Sequence, residues 1–190
     1  MKLERRGAER LKDFFLAMTR TSFGQLGVGD QQIVDYVASI LTEFSASNRW
    51  LALRDAQGRR IASVVEMLVS QTGAPHTQER VTGERELRKY VGDYTLFMSG
   101  LFRAFVERGG YLDYYLEEGK RSYQAVSELD VALYRPGFLV FEELSRGFEN
   151  YSGALDYMRK CFFAPAPNQD PFAGFLQQIE GWVRLRLTRN

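Results

Sequence analysis

Apolar and aromatic residues recur at steps of three and four along most of this chain, a spacing that places them on one face of an α-helix. The clearest such run extends from Thr82 to Arg108 and predicts one long helix. Its apolar positions are Leu87, Tyr90, Val91, Tyr94, Phe97, Met98, Leu101, Phe102 and Phe105. Because a stripe of this length has to be covered by other helices, we expect the long helix to lie at the centre of a bundle.

The same spacing predicts further helices before and after the central one. We expect them near Leu11–Met18, Asp30–Phe44, Ile61–Leu68, Tyr111–Leu129 and Phe141–Phe162. Asp30 is a suitable N-cap for the second of these, because its carboxylate can accept hydrogen bonds from the free amides of the first turn. No segment shows the sustained alternation of a half-buried β-strand. The pattern therefore predicts an all-α bundle of six or seven helices that forms a single domain over residues 1–190.

A proline-rich segment interrupts the helical pattern near the C-terminus. Residues 164–171 (APAPNQDP) contain three of the five prolines, and proline cannot continue a helix because it lacks the amide donor. We expect this segment to link the bundle to a C-terminal helix over residues 172–188. The apolar face of that helix would be a large exposed patch unless something covers it, and it consists of Phe172, Phe175, Ile179 and Trp182. It can dock on its own chain or on a second copy, and we expect a homodimer to which this helix contributes.

The overall charge gives no sign of a charged partner. The 190 residues include 25 Lys and Arg against 24 Asp and Glu, so no net field attracts nucleic acid or anionic lipid. The basic residues at both ends are interrupted by acidic or apolar residues and lack an aromatic stacking platform, which argues against nucleic-acid binding. No apolar stretch is long enough for a membrane span, and the charged N-terminus does not resemble a signal peptide. We therefore expect a cytoplasmic protein.

Side chains that carry catalysis or hold a cofactor are scarce. Cys161 is the only cysteine, which excludes an internal disulfide, and its apolar neighbours favour a packed role. His76 is the only histidine, and one histidine cannot supply the two Glu-x-x-His motifs of a di-iron bundle. The glycines between Gly24 and Gly29 lack the lysine and hydroxyl residue of a phosphate-binding loop. We expect no metal and no cofactor, and we favour a non-catalytic protein over an enzyme that uses tyrosine, arginine and carboxylates.

The tyrosines are unevenly distributed, since nine of the ten lie between Tyr90 and Tyr157. Tyrosine and arginine are enriched where binding energy concentrates in protein interfaces. Helical spacing places Tyr111 and Tyr115 on one face, whereas Tyr114 points elsewhere. The candidate interaction residues are Tyr111, Tyr115, Arg103, Arg108, Arg121 and Trp182.

Two functions are compatible with this pattern. The first is a non-catalytic interaction or adaptor protein that uses the tyrosine- and arginine-rich helix surfaces to bind a protein partner, including a second copy of itself. The alternative is a regulatory or carrier bundle that holds an apolar or aromatic small molecule between its helices. In that case the pocket walls would be formed by Tyr94, Phe97, Phe102, Phe105 and Tyr123.

Overall fold

A computed structural model of the chain describes residues 2–46, 78–165 and 170–187, which form α-helices and no strand. The helices are α1 (Lys2–Gln25), α2 (Gln31–Ala46), α3 (Gln78–Leu101), α4 (Arg103–Arg108), α5 (Leu112–Ala132), α6 (Phe138–Arg146), α7 (Phe148–Phe162) and α8 (Pro171–Leu187). The prediction of an all-α bundle is confirmed. The helix predicted over Ile61–Leu68 and the loop histidine His76 lie outside the described residues. No described helix combines the length and apolar character needed to cross a bilayer.

Helix α3 lies at the centre of the bundle, as the length of its apolar stripe predicts. It packs mainly against α5 and α7, and every residue from 91 to 102 is buried. Small residues allow these helices to approach closely, because a Cβ atom at Gly119 of α5 would lie 2.0 Å from Cζ of Phe148 on α7. A Cβ atom at Gly100 of α3 would lie 2.5 Å from Cβ of Leu155 on α7. The three helices therefore depend on glycine at their contacts.

The first two helices form a hairpin that packs on this centre. A turn with Gly27 at φ 78° joins α1 to α2, a conformation that glycine adopts without strain. Oδ1 of Asp30 accepts a hydrogen bond from the backbone N–H of Gln32 at 2.8 Å, so the predicted N-cap is confirmed. Helix α1 also contacts α7, and α2 contacts α3 and α6.

Two of the predicted helices are each divided in two. The helix predicted from Thr82 to Arg108 bends at Phe102, whose φ of −114° and ψ of 28° separate α3 from α4. The helix predicted through Phe141–Phe162 bends at Gly147, with φ −94° and ψ 11°, between α6 and α7. Each bend residue still donates a backbone hydrogen bond to the preceding helix, Phe102 N to Met98 O and Gly147 N to Glu143 O. The periodicity therefore predicted the helical residues but not these bends.

Helix α5 ends in a Schellman motif that contains a tyrosine at the position where glycine is usual. The N–H of Arg135 donates to Asp130 O at 2.8 Å, and the N–H of Tyr134 donates to Val131 O at 3.1 Å. Tyr134 has φ 53° and is 97% exposed. A side chain in this left-handed conformation costs about 1–2 kcal/mol, and the tyrosine ring is too exposed to recover that cost by packing.

Helix α8 docks on its own chain. Its first turn is capped by Asp170, whose Oδ1 accepts from the backbone N–H of Phe172 at 3.1 Å. The Phe172 and Phe175 side chains are buried, and the Phe172 ring centroid lies 4.3 Å from that of Phe102. Trp182 is partly exposed and packs 5.7 Å from Phe14 of α1, measured between ring centroids. Phe172, Phe175 and Ile179 are therefore covered by their own chain, whereas Trp182 is covered only in part.

Candidate functional site

A cavity of about 470 Å³ lies where the end of α3, α4, the end of α7 and α8 meet. The residues that line it are Leu101, Phe102, Ala104, Phe105, Glu107, Arg108, Arg159, Phe163, Ala164, Pro165, Pro171, Phe175 and Gln178. Its volume falls within the range of roughly 300–1,000 Å³ that is usual for small-molecule sites. The cavity is assembled from residues 101–108 and, about 50 residues later in the sequence, from residues 159–165 and 171–178.

Aromatic rings form the apolar wall of the cavity. Phe102, Phe163 and Phe175 are buried, and the Phe175 centroid lies 4.9 Å from Phe163 and 5.4 Å from Phe102. Phe105 is partly exposed and packs edge-on against Phe172, which lies outside the lining, at 5.1 Å between centroids. The wall is thus held in place by aromatic packing from the junction of α3 and α4, from α4, from the residue that follows α7, and from α8.

Charged groups also line the cavity. Arg108 lies in the last turn of α4, where its Nε donates to the backbone oxygen of Ala104 at 3.2 Å. Arg159 lies in the last turn of α7, with its Nε 3.8 Å from Oδ1 of Asp156. Glu107 is the carboxylate among the lining residues. An aromatic wall beside two guanidinium groups suits a ligand with an apolar body and a polar end.

Gln178 of α8 joins the cavity wall to the linker. Its Oε1 accepts from the backbone N–H of Ala164 at 2.8 Å, and its Nε2 donates to the backbone oxygen of the same residue at 3.1 Å. Because both backbone groups of Ala164 are satisfied by one side chain, the start of the linker is held against α8.

The structure separates the residues that the sequence suggested as pocket walls. Phe102 and Phe105 line the cavity, whereas Tyr94, Phe97 and Tyr123 do not. Phe97 stacks on Phe44 of α2 at 5.0 Å between centroids, and Tyr94 lies 6.1 Å from Tyr115. These three side chains are part of the core, which corrects the expectation that they form this pocket.

The predicted interaction residues are also dispersed. Tyr115 is only 2% exposed and faces the core, whereas Tyr111 is 46% exposed, so the expectation that both face a partner is wrong. Tyr114, which was expected to point elsewhere, is on the surface. Tyr115 faces inward because its side of α5 packs against Tyr94 of α3.

The arginines and tryptophan of that set have separate surroundings. Arg103 Nη1 lies 3.5 Å from the Ser152 hydroxyl, and Arg121 is exposed on α5. Arg108 is part of the cavity lining, and Trp182 packs on α1 as described above. These residues thus have different surroundings, and their role in an interaction stays a prediction.

A second chemically notable feature is a buried carboxylate on α3. Oδ1 of Asp93 accepts hydrogen bonds from the hydroxyls of Tyr36 at 2.7 Å and Tyr123 at 2.9 Å, and Oδ2 accepts from Lys89 Nζ at 2.6 Å. Burial raises the pKa of the Asp93 carboxyl, while Lys89 and the two hydroxyls act in the opposite direction. Burial, followed by the charge of Asp93, raises the pKa of Tyr36 and of Tyr123, so both hydroxyls remain donors at neutral pH.

This network is suited to stability rather than to chemistry. Each oxygen of the Asp93 carboxylate has a donor, and Asp93 is not among the residues that line the cavity. Among the residues described, no group of three or more His, Cys, Asp or Glu side chains is placed to hold a metal ion. The cavity is therefore the candidate functional site.

No protein family, curated protein or solved structure matches this chain.

Sequence reasoning missed Arg159, Phe163 and Gln178 as lining residues. Phe163 was visible only as an apolar neighbour of Cys161, and nothing in the local pattern indicates that it lines a cavity. The Asp93 network did have a signal in the sequence, because Asp93 is a carboxylate between Val91 and Tyr94 in an otherwise apolar stripe. A charged residue at such a position needs buried partners.

Proposed function

We propose that this protein binds an apolar or aromatic small molecule in the cavity between α4, α7 and α8. The observation that carries the proposal is the convergence of Phe102, Phe105, Phe163 and Phe175 on a space of about 470 Å³. Binding sites for small molecules are concave and mostly apolar, with a few polar groups that orient the ligand. Glu107, Arg108, Arg159 and Gln178 supply such groups here. Binding of this kind suits a carrier or a ligand-responsive regulator.

The test uses N-phenyl-1-naphthylamine, an uncharged aromatic dye whose fluorescence rises in apolar surroundings. We expect saturable binding of one dye per chain. Ala104 is exposed and lines the cavity, so Ala104→Trp should fill the space and weaken dye binding by at least about tenfold.

Ala17→Trp is the matched control, because Ala17 is exposed on α1 and does not line the cavity. It should bind the dye as the unmodified protein does. Absence of saturable binding, or equal binding by both tryptophan variants, contradicts the proposal.

A second function, binding of a protein partner, is favoured by the surface around the turn between α5 and α6. Val131, Tyr134 and Leu139 are all large, apolar or aromatic, and more than half exposed, at 55%, 97% and 59%. A strained tyrosine kept on the surface suits a binding anchor better than a structural role. We propose Tyr134, rather than the Tyr111–Tyr115 face, as the centre of an adaptor surface.

Solution mass tests whether that partner is a second copy. Light scattering of the full chain and of Tyr134→Ser should show a dimer that the substitution weakens, with Tyr114→Ser as an exposed control on α5. A monomeric full chain at high concentration rules out self-association through this surface.

A further inference from the structure

We infer that the ligand of the cavity carries a carboxylate at one end, held by Arg108 and Arg159, on an apolar body that lies against the phenylalanine wall. This inference rests on the proposed function, because it names the class of molecule that the same cavity takes.

The first observation concerns the hydrogen bonds of Arg108. A guanidinium has five N–H donors, and Nε of Arg108 donates one of them to its own helix, to Ala104 O at 3.2 Å. Among the described residues, no carboxylate forms an ion pair with Arg108. The two terminal nitrogens therefore have donors to offer to a ligand in the cavity that this side chain lines.

Arg159, the other guanidinium in the lining, also has donors to offer. Its carboxylate neighbour, Asp156, is hydrogen-bonded through Oδ2 to Lys160 Nζ, whereas Arg159 Nε is 3.8 Å from Oδ1. Lys160 is thus the closer cation and takes the larger part in compensating the charge of Asp156. The side chain of Arg159 is 27% exposed, so its guanidinium is partly removed from water. Partly desolvated guanidinium groups attract an anion more strongly than exposed ones do.

A simpler explanation of both arginines is that each complements the negative end of its own helix. Both lie in a last turn, where a cation is favourable. That explanation accounts for each arginine separately, but it does not account for their meeting at one aromatic cavity. Glu107 reduces the positive charge of the lining without cancelling it, because it is one carboxylate against two guanidinium groups.

A carboxylate fits these groups better than a neutral polar group does. Guanidinium and carboxylate form charge-assisted and often bidentate hydrogen bonds, which are roughly twice as strong as neutral ones. The phenylalanine wall meanwhile offers no partner for a second charge. A medium-length fatty acid or an aromatic carboxylate has this combination of one anionic end and an apolar remainder.

The experiment compares octanoate with 1-octanol as competitors for N-phenyl-1-naphthylamine bound to the full chain. The two competitors share the same apolar chain and differ in charge. We expect octanoate to displace the dye at about tenfold lower concentration than octanol. In the double variant Arg108→Gln and Arg159→Gln, that preference should fall below about threefold, while displacement by octanol stays within about twofold.

Arg121→Gln is the matched control, because Arg121 is exposed on α5 and does not line the cavity. It should keep the full preference for octanoate. Equal competition by octanoate and octanol in the unmodified protein overturns the inference without any variant, and leaves the proposed function intact because the dye still binds. A preference that survives in the double variant overturns it as well. If no dye binds, the proposed function fails and the inference fails with it.

Discussion

Arg85 of α3 and Asp130 of α5 form a bidentate ion pair inside the bundle, with Nε 2.7 Å from Oδ1 and Nη2 2.9 Å from Oδ2. The Asp130 side chain is fully buried, and the Arg85 guanidinium also lies over the Phe141 ring, 5.3 Å from its centroid. The carboxylate thus lies in the last turn of α5, in contact with a cation from the central helix. The pair joins α3, α5 and α6 at one point.

Removal of Arg85 should destabilise the fold strongly, because the charge of Asp130 would remain fully buried without its partner. Removal of Asp130 takes away the bidentate partner of Arg85, whose Nη1 keeps only the exposed Glu86 at 2.7 Å. We expect Arg85→Met or Asp130→Asn to lower the free energy of unfolding by about 3–5 kcal/mol, measured by chemical denaturation. The double variant Arg85→Met and Asp130→Leu should lose less than the sum of the single changes.

The exposed pair Arg20–Asp35 is the control for this prediction. Its atoms are 3.8 Å apart and both side chains are 53% exposed, so Arg20→Met should change the free energy of unfolding by less than about 1 kcal/mol. If Arg85→Met and Arg20→Met lower the free energy of unfolding by similar amounts, water must hydrate the charge that remains at the buried pair.

Alkaline pH should destabilise the protein through Tyr36 and Tyr123. Burial raises the pKa of both phenols above the unfolded value of about 10, so the folded state holds these protons more tightly than the unfolded state does. The stabilisation is complete below pH about 10 and is lost as pH rises toward the folded-state pKa. Helical circular dichroism and tyrosinate absorbance, recorded together, should show that part of the tyrosines ionise only as the helices unfold.

Tyr123→Phe provides the internal comparison for the alkaline transition. It removes one titrating group, so the loss of stability above pH 10 should be shallower. At neutral pH the same change should cost about 1–2 kcal/mol, because Asp93 loses a hydrogen-bond donor. If the stability of Tyr123→Phe falls with rising pH as steeply as that of the unmodified protein, the buried tyrosines do not control the alkaline transition.

Glycine at position 119 should be essential to helix packing. An added methyl group would lie 2.0 Å from Phe148 Cζ and 2.7 Å from Thr95 Oγ1, so Gly119→Ala should lower the free energy of unfolding by about 1–3 kcal/mol. At Gly83 of α3, nothing lies within 4 Å of the added Cβ atom. Gly83→Ala should therefore raise the free energy of unfolding by about 0.5–1 kcal/mol, since alanine favours the helix. Equal effects at both positions in thermal denaturation would contradict the packing argument.

Tyr134→Gly should stabilise the protein. Glycine removes the strain of φ 53° but adds freedom to the unfolded chain, and the net gain should be about 0.5–1 kcal/mol in chemical denaturation. Tyr134→Ala keeps a Cβ atom and should show no comparable gain. A loss of stability on replacement by glycine would mean that the tyrosine ring makes a stabilising contact.

Much of the fold could be predicted from the sequence, because helix formation and burial follow a periodic pattern. The stripe of α3 correctly predicted burial of Phe97 and Leu101, and Asp30 correctly predicted the start of α2. The bend at Phe102 was not predictable, since that residue is neither proline nor glycine and the hydrogen bond to Met98 O is retained. The bend accompanies contacts of Phe102 and Phe105 with Phe172, and these are tertiary contacts.

Less of the candidate site could be predicted, because periodicity does not say which helices meet. Phe102 and Phe105, which the sequence suggested as pocket walls, do line the cavity. Gln178 comes from a helix whose direction depends on the linker, and Arg159 comes from the end of α7. Periodicity also failed to predict the burial of Tyr115. Its spacing from Tyr111 suggested one shared face, but on a helix covered from one side, residues four apart can still differ widely in exposure.

The two hydrogen bonds between Gln178 and Ala164 also help to determine how α8 is turned about its own axis. A shift of α8 by one residue would rotate its inner face by about 100° and break both bonds at once, because the amide of Gln178 would no longer face the linker. The same rotation would carry the buried side chains of Phe172, Phe175 and Ile179 away from the core. The amide of Gln178 thus reinforces the angular position that these apolar contacts favour, and with it the identity of the rings that the cavity presents.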